Sequence, residues 1–368
     1  AMLVSDLNKL GVKVICVLSG DLKELLEMVP AGINFNFIAT LVLDSSLEEG
    51  VALNKLLSEI YDLNVSVKAV LAGAETGVEL ADALSERLGV KTNGTALSEA
   101  RRNKFVMGET VRGAGLRAVK QLRATSWQEV KTFILDWNPD PFKVIVKPID
   151  SAGSDDVTLC LSLEEVQKAF GNIMGKVNGL GSVNLAVLVQ EYLEGDEYVI
   201  DMVSRDGIHK VVGIWLYDRR AVNGAGFVCF GQRLLTADDP RCREIIEYQK
   251  QVVTALGILN GPTHGEVKWF KGEPVLIEVG ARCHGAEGVW RDVVQSCYLF
   301  NQVGCTISSY FDGEGFEVLS DVPLELHSQG RLLFFIIVKD GLLKDINSKV
   351  YQEIQALDSY CSLELFVN

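Results

Sequence analysis

The sequence lacks paired cysteines at metal-binding spacing, a basic stripe, and an apolar run long enough to cross a bilayer. None of its eight cysteines forms a CxxC pair, and in a chain this long and this apolar we expect them to be reduced thiols of a cytoplasmic protein. The net charge of −14 argues against a nucleic-acid partner, because binding to phosphates needs clustered lysine and arginine. The apolar run 331–338 is too short for a membrane span and predicts a buried strand.

Several patterns of nucleotide binding and catalysis are also missing. Neither GxGxxG nor the P-loop pattern occurs, so we do not expect a bound dinucleotide. The absence of a nucleophile elbow and of a Cys/His signature fits a reaction that needs no covalent enzyme intermediate. What the sequence does have is 48% hydrophobic and 23% charged residues over 368 positions, which predicts a globular protein of two or three subdomains.

The first 95 residues alternate between helical and strand-like patterns, which predicts a parallel sheet covered by helices. The predicted helices are 3–11, 21–29, 46–62 and 76–89, and the predicted strands are 12–19, 35–43 and 67–73. Because a strand would normally precede the first helix, we expect an N-terminal strand to be missing from this sequence. The glycine-bearing turn 72–77 lies where ligands often bind in such sheets.

The remainder of the chain predicts further strands and helices. We expect a helix at 98–116, a strand at 210–220, a loop returning into a strand at 221–235, a helix at 239–258, and alternating strands and turns at 316–368. Asp238 or Asp239 would cap the long amphipathic helix. The glycine-rich loop 217–231, with mixed polar and aromatic residues, is the best candidate for substrate selection.

The stretch THGEVKWFKGEPVLIEVGARCH (263–284) contains two strand-like runs around the turn 271–274, which predicts a β-hairpin. Such a hairpin would bring Glu266 and Glu278 to the same region on facing strands. Adjacent carboxylates repel unless a cation lies between them, and Mg²⁺ combines carboxylates with substrate phosphates. Because Arg282 is within reach, the set predicts a metal–phosphate site, and solvated surface glutamates are the alternative.

Three segments upstream of the hairpin favour the site over the surface alternative. Lys147 ends the apolar run 144–148, where a buried lysine is unfavourable unless a group such as a nucleotide phosphate pairs with it. The small-residue loop 150–156 could bind phosphate through backbone N–H groups, although a plain turn is an equal alternative. The acidic segment 191–197 follows an apolar strand, which favours an interlobe hinge over a solvated loop.

In this order, the segments RRNKF, VIVKP-DSAGSD, VQEYLEGDEY, GEVKW and IEVGARCHG resemble ATP-grasp carboxylate–amine ligases, especially the bacterial L-amino-acid ligases of the bacilysin-synthesis type. The resemblance extends from about Leu71 to about Ile346. It implies an α/β and α+β ATP-grasp fold with an N-terminal Rossmann-like, or pre-ATP-grasp, domain. The implied divisions are the pre-ATP-grasp domain at 1–95, a central subdomain with the phosphate loop at 96–190, and a C-terminal subdomain with the metal site and terminal β elements at 191–368.

The resemblance also implies a role for each motif residue. Glu266 and Glu278 would be metal ligands, and Arg282 would be catalytic by steadying the transferring phosphoryl group. The nucleotide-binding residues would be Lys104, Lys147, Gly153, Ser154, Glu191, Tyr192, Leu193, Glu194 and Glu197. Gly280 stands where many ATP-grasp enzymes have asparagine, which leaves the number of metal ions open. His264 and His284 flank the site as either substrate contacts or structural residues.

Together these features imply an ATP-dependent ligase that joins a carboxylate, expected to be an amino acid, to an amine through an acyl phosphate, with release of ADP and phosphate. The expected cofactors are ATP and Mg²⁺, with Mn²⁺ as an alternative metal. The expected partners are small-molecule substrates, with no nucleic acid and no membrane, and a homodimer is left open. Two alternatives stay open: an ATP-grasp enzyme with another acceptor, of carboxylase or nucleotide-biosynthesis type, and a non-catalytic nucleotide-binding module.

Overall fold

A computed structural model of the chain describes residues 1–20, 33–149, 156–179, 181–222, 225–337, 341–342 and 344–363. The predicted helix 21–29 and residues 150–155 of the predicted phosphate loop, which include Gly153 and Ser154, lie outside the described residues. Among the residues that are described, no helix has both the length and the apolar character needed to cross a membrane.

The described residues contain both helices and strands, which alternate only in parts of the chain. The helices are α1 (Met2–Lys9), α2 (Glu49–Asp62), α3 (Val78–Arg87), α4 (Lys104–Gly113), α5 (Trp127–Trp137), α6 (Leu163–Ile173), α7 (Pro240–Ala255), α8 (Trp290–Tyr298), α9 (Gln302–Phe311), α10 (Gly313–Val318) and α11 (Ser348–Gln355). The strands are β1 (Ile15–Leu18), β2 (Ala39–Val42), β3 (Gln121–Ala124), β4 (Val144–Pro148), β5 (Thr158–Cys160), β6 (Val187–Glu191), β7 (Glu197–Arg205), β8 (Ile208–Val222), β9 (Ala225–Leu234), β10 (Gly261–Phe270), β11 (Glu273–Gly280) and β12 (Arg331–Leu333). Short 3₁₀ turns occupy Glu75–Gly77, Glu99–Arg101 and Ala286–Gly288.

The N-terminal region contains the predicted parallel strand pair. β1 and β2 run side by side, with Ile15 opposite Ala39 at one end. Apolar residues at helical spacing on α2 and α3, including Leu56, Ile60 and Leu84, form the core that covers this pair. The alternation of strand and helix therefore predicted the pairing correctly, although both strands are shorter than predicted.

The predicted strand at 67–73 is wrong. Residues 67–72 form no regular element, but Val67 and Val70 still pack against the core of α2 and α3. Burial of these side chains satisfies the apolar pattern without strand pairing, so the pattern alone could not reveal whether a neighbouring strand was available.

The centre of the chain forms a four-stranded antiparallel sheet in the order β3-β6-β4-β5. Helices α5 and α6 contribute buried apolar residues to its core, among them Val130, Ile134 and Val166. Each helix begins at a serine whose hydroxyl accepts a backbone N–H, Ser126 for α5 and Ser162 for α6. All five residues of β4 are buried, including Lys147, so this strand lies in the interior of the protein.

The largest sheet has six antiparallel strands in the order β11-β10-β7-β8-β9-β12. Helix α7 packs against it through residues such as Ile245 and Val252. Asp239 caps this helix and Pro240 occupies its first turn, which confirms one of the two predicted caps. The predicted strand and returning loop at 210–235 form the hairpin β8–β9, in which the return begins as a strand at Ala225.

The C-terminal prediction of alternating strands is wrong. Within residues 331–337, the described part of the apolar run, only Arg331–Leu333 forms a strand, and this strand pairs with β9 at the edge of the sheet. Leu333, Phe335 and Ile337 are 64%, 75% and 66% exposed, so the described part of the run is not a buried strand. The helices α10 and α11 occupy other parts of the predicted strand-and-turn region.

A buried ion pair links the N-terminal region to the segment that directly follows α7. Arg101 is 1% exposed, and its Nε and Nη2 atoms each lie 3.0 Å from Oδ2 of Asp82 on α3. Its Nη1 atom donates to the carbonyl oxygen of Leu256, directly after α7, at 2.9 Å. Burial raises the pKa of Asp82 even beside this guanidinium, so the carboxylate depends on Arg101 for its charged form.

We expect Arg101→Met to lower the free energy of unfolding by about 3–5 kcal/mol, because it leaves the carboxylate of Asp82 buried and unpaired. Chemical denaturation measures this change. The double variant Arg101→Met/Asp82→Leu should regain part of the loss, because it removes both charges together. If the double variant is no more stable than the single one, the hydrogen bonds from Arg101 to carbonyl oxygens, rather than its ion pair with Asp82, stabilise the contact between α3 and the segment after α7.

Candidate active site

A cavity of about 220 Å³ lies between the four-stranded sheet and the six-stranded sheet. Its walls combine apolar side chains with several charged ones, the composition typical of a site for a small polar ligand. The lining residues are Lys104, Val119, Ile145, Lys147, Pro148, Val157, Gln190, Glu191, Tyr192, Leu193, Glu197, Arg219, Phe227, Glu266, Lys268, Ile277 and Glu278. Most of the residues nominated from the sequence are therefore gathered in one place.

The predicted hairpin is confirmed, and it sets two carboxylates face to face. β10 and β11 pair in antiparallel register with Glu266 directly opposite Glu278. Lys271 and Gly272 both have positive φ angles, as a tight turn between such strands requires. Opposed residues on an antiparallel pair project to the same side, so both side chains enter the cavity.

Two cations neutralise these carboxylates. Lys104 Nζ lies 3.1 Å from Oε2 of Glu278, and Arg219 Nη2 lies 3.7 Å from Oε1 of Glu266. Burial tends to raise the pKa of Glu266, but His264 and Arg219 outweigh it and hold that pKa below its usual range. Glu266 is therefore kept ready to act as an anionic oxygen ligand, with Glu278 facing it across the hairpin.

Arg219 also pairs with Glu197, from Nε to Oε1 at 2.9 Å. Burial, and then the nearby charge of Glu266, raise the pKa of Glu197. The sequence did not single out Arg219, although it lies in the loop nominated for substrate selection. Lys268 was missed as well, but its position two residues after Glu266 on β10 would place it on the same face of the strand.

Lys147 lies on β4 in the four-stranded sheet, where β4 has β5 on one side and β6 on the other. It is 6% exposed, and burial lowers its pKa to about 8, assisted by the nearby ammonium of Lys104. The carboxylates of Glu278 and Glu266 oppose that shift but do not cancel it. A buried ammonium in this position would gain greatly from a phosphate group placed beside it.

The predicted hinge contributes three consecutive residues to the cavity, Glu191, Tyr192 and Leu193. Glu191 forms an ion pair with Arg117, and the Tyr192 ring lies 5.9 Å from Nζ of Lys268. Glu194 is placed differently: its side chain is 66% exposed, pairs with Lys143 at 2.8 Å, and does not line the cavity.

Arg282 lies beyond the end of β11 and is not among the cavity-lining residues. Its Nε atom lies 2.8 Å from Oε2 of Glu75, and its Nη1 donates to the carbonyl oxygen of Cys283 at 2.9 Å. Glu75 belongs to the glycine-bearing turn 72–77, which lies where ligands often bind in such sheets. The contact with Arg282 places this turn next to the end of the β10–β11 hairpin, where the metal ligands were predicted.

His264 and His284 belong to a buried network centred on Asp201. Nδ1 of His264 donates to Oδ1 of Asp201 at 2.8 Å, and Nδ1 of His284 donates to Oδ2 at 2.9 Å. His284 Nε2 is then the acceptor for the Tyr217 hydroxyl at 3.1 Å, and His264 Nε2 lies 3.6 Å from Oε1 of Glu266.

The electrostatics of this network favour the structural interpretation of both histidines. Burial lowers the pKa of His284, whereas Asp201 and Glu266 outweigh burial at His264 and raise its pKa to about 9. The three groups could offer metal ligands within 4.8 Å of one another, but their ring and carboxylate atoms are already used in hydrogen bonds. The network instead holds His264 in place, and His264 in turn contacts the carboxylate of Glu266.

Comparisons with known proteins agree with this geometry. Residues 140–289 match the family described as ATP-grasp domain. Dapdiamide A synthase from Enterobacter agglomerans is 35% identical over 249 residues, which cover 67% of this chain and 57% of that protein. Alanine–anticapsin ligase from Bacillus subtilis (strain 168) is 25% identical over 216 residues, 54% of this chain and 45% of that one. The crystal structure of L-amino acid ligase from Bacillus licheniformis superimposes with a TM-score of 0.64 and 20% identity, covering 85% of this chain and 73% of that one.

Residues 140–289 therefore match an ATP-grasp domain, and the chain has the ATP-grasp fold that the resemblance predicted. Within that class, it is similar to dapdiamide A synthase and to bacterial amino-acid ligases. The chain spans about half the length of these curated relatives, 57% of the first and 45% of the second.

The cavity residues fit a divalent cation bound together with phosphates. Glu266 and Glu278 supply two facing carboxylates, the hard oxygen ligands that Mg²⁺ and Mn²⁺ accept. The buried ammonium of Lys147 and the nearby Lys104 supply positive charge for phosphate oxygens. The donor set therefore suits a metal–nucleotide complex better than a bare metal ion.

We expect the affinity for a non-hydrolysable ATP analogue to fall about tenfold between pH 7.5 and pH 9. Since the pKa of Lys147 is lowered to about 8, its amine already carries a proton at pH 7.5, but binding must take up a proton at pH 9. Titration calorimetry at both pH values measures the change. Lys147→Met should bind more weakly and lose most of the pH dependence, so an unchanged slope in that variant would contradict the assignment.

Proposed function

We propose that this protein is an ATP-dependent ligase that joins the carboxylate of one amino acid to the amine of another compound, with release of ADP and phosphate. The observation that carries the proposal is the direct opposition of Glu266 and Glu278 in a cavity that also contains a buried lysine. The printed names of the similar proteins, a dapdiamide synthase and amino-acid ligases, support amino acids as substrates.

The proposed reaction has two steps. A carboxylate oxygen attacks the γ-phosphorus of ATP, the bond to the ADP oxygen breaks, and an acyl phosphate forms. The amine nitrogen then attacks the acyl carbon, the carbon–oxygen bond to phosphate breaks, and the amine loses a proton to solvent as the amide forms. Neither step needs a nucleophile from the protein, so the chain contributes positioning and electrostatic stabilisation.

The residue roles are proposals as well. Glu266 and Glu278 would hold Mg²⁺ or Mn²⁺, which when bound neutralises phosphate charge. Lys147 and Lys104 would contact phosphates, and Gly153 and Ser154 would cover them. Arg282 would face the reacting groups. The hinge residues and Glu197 would bind the nucleoside, and Glu194, which is exposed, would contribute least.

The proposed organisation keeps a pre-ATP-grasp domain at 1–95, a central subdomain at 96–190 and a C-terminal subdomain at 191–368. The sheets β1-β2, β3-β6-β4-β5 and the strands from β7 onward fall within these three ranges, except that β6 extends to Glu191. We further propose a cytoplasmic protein with small-molecule substrates, for which self-association should be measured by light scattering.

We expect the wild-type protein to release ADP only when an amino acid and an amine are both supplied, and Glu278→Gln to abolish that release. The amide keeps the shape of the side chain but removes one of two carboxylates that would hold the metal. A coupled ADP assay with mixed amino acids, followed by mass spectrometry of the product, measures both effects. ADP release that requires bicarbonate instead of an amine would favour an ATP-grasp enzyme with a different acceptor, and a normal rate in Glu278→Gln would refute the metal assignment.

We expect Arg282→Ala to reduce the rate at saturating substrates on the order of a hundredfold, with a much smaller change in ATP-analogue affinity. Arg282 lies four residues after Glu278, just beyond the end of β11, so it would face the phosphoryl group rather than the adenine and its charge should matter most while that group moves. Arg282→Lys should restore only part of the rate, because an ammonium cannot reproduce the planar guanidinium contact. A loss of affinity with the saturated rate retained would make Arg282 a binding residue instead.

A further inference from the structure

We propose that Glu75 is a positioning residue that holds the guanidinium of Arg282 in its working orientation, an inference that rests on the proposed function of Arg282. Glu75 lies in the 3₁₀ turn just before α3, far from the hairpin in sequence. Neither its glycine-bearing turn nor the hairpin motif identifies this contact, because the two segments meet only in the folded chain.

Each oxygen of the Glu75 carboxylate has its own arginine. Oε2 lies 2.8 Å from Nε of Arg282, and Oε1 lies 3.0 Å from Nη1 of Arg102. The side chains of Glu75, Arg282 and Arg102 are only 18%, 19% and 10% exposed, so water screens these contacts less than it would a surface pair. The contact from Arg102 to Oε1 is also a hydrogen bond, so Arg102 orients the carboxylate, and the second oxygen, Oε2, is left facing Arg282 as the charge that attracts its guanidinium.

The contacts of Arg282 leave its guanidinium little freedom to rotate. Nε lies 2.8 Å from Oε2 of Glu75 at ion-pair distance, without the alignment of a hydrogen bond, and Nη1 donates to the carbonyl oxygen of Cys283. The remaining nitrogen, Nη2, lies 3.1 Å from the position that a Cβ atom on Gly280 would occupy. The guanidinium thus lies over Gly280. Glu278 and Gly280 are two residues apart on β11, so the guanidinium lies on the same side of the strand as the Glu278 side chain.

Gly280 provides the space for this arrangement. A Cβ atom at this position would lie 2.9 Å from Oε2 of Glu75 and 3.0 Å from Cζ of Arg282. Either side chain would have to shift if residue 280 had any side chain at all. The glycine therefore allows the ion pair to lie directly against the strand that carries Glu278.

The second arginine explains how a carboxylate can hold Arg282 without cancelling the charge it supplies. Glu75, Arg102 and Arg282 together carry one net positive charge, because a single carboxylate is shared by two guanidinium groups. Stabilisation of a moving phosphoryl group requires positive charge that is already oriented before the reaction. Glu75 supplies the orientation, and Arg102 offsets its negative charge.

The first test is Glu75→Gln, which keeps the size of the side chain and removes its charge. We expect the rate at saturating substrates to fall on the order of tenfold to a hundredfold, with ATP-analogue affinity unchanged within about twofold. Glu49→Gln on α2 is the matched control, because it makes the same charge change at an exposed position. Glu75→Gln added to Arg282→Ala should cause no further loss, and an additive loss would overturn the proposal.

A second measurement does not depend on activity. Phenylglyoxal modifies free guanidinium groups, and mass spectrometry of a digest reports the modification of Arg282 alone. We expect Arg282 to react several-fold faster in Glu75→Gln than in the wild-type protein, and equally fast in Glu49→Gln. If the wild-type protein released no ADP with any substrate mixture, the proposed function would fail, and unchanged labelling of Arg282 in Glu75→Gln would separately overturn the positioning role.

Discussion

Two like charges held opposite each other on one hairpin are the constraint on which the site depends. The register of β10 and β11 fixes Glu266 against Glu278, and their repulsion must be offset by positive charge nearby. Lys104 and Arg219 provide it directly, while Lys147 approaches from the other sheet. The cavity is therefore a place where cations and anions from two sheets are kept close together, and its charges interact strongly because they are largely buried.

This arrangement moves the pKa values of neighbouring groups in opposite directions. The pKa of Glu266 is held low and that of Glu197 is raised, although both share Arg219 as a partner. Behind Glu266, Asp201 orients His264 and His284 by accepting one hydrogen bond from each ring. A buried second layer of this kind limits the movement of the groups in front of it, so the site is organised before any ligand arrives.

The sequence predicted what depends on local pattern and missed what depends on distant contacts. The hairpin followed from alternating residues around a Lys-Gly turn, and the Asp239 cap followed from an acidic residue before Pro240. By contrast, nothing in the local pattern of Glu75 indicates that Arg282 is its partner, and the apolar run at 331–338 gives no sign that its strand lies at a sheet edge. A short apolar run does not show by itself whether it is buried or paired with another strand, because both depend on which segments lie beside it in the fold.

The contact between Glu75 and Arg282 also has a consequence for the order in which the protein folds. The β10–β11 hairpin joins residues adjacent in the chain and closes a very short loop, whereas the Glu75 pair closes a loop of about two hundred residues. Contacts across such separations form late, after the segments between them have folded. During refolding, the facing glutamates should thus be in place before Arg282 is fixed, so the hairpin would form before the contact that completes the candidate site.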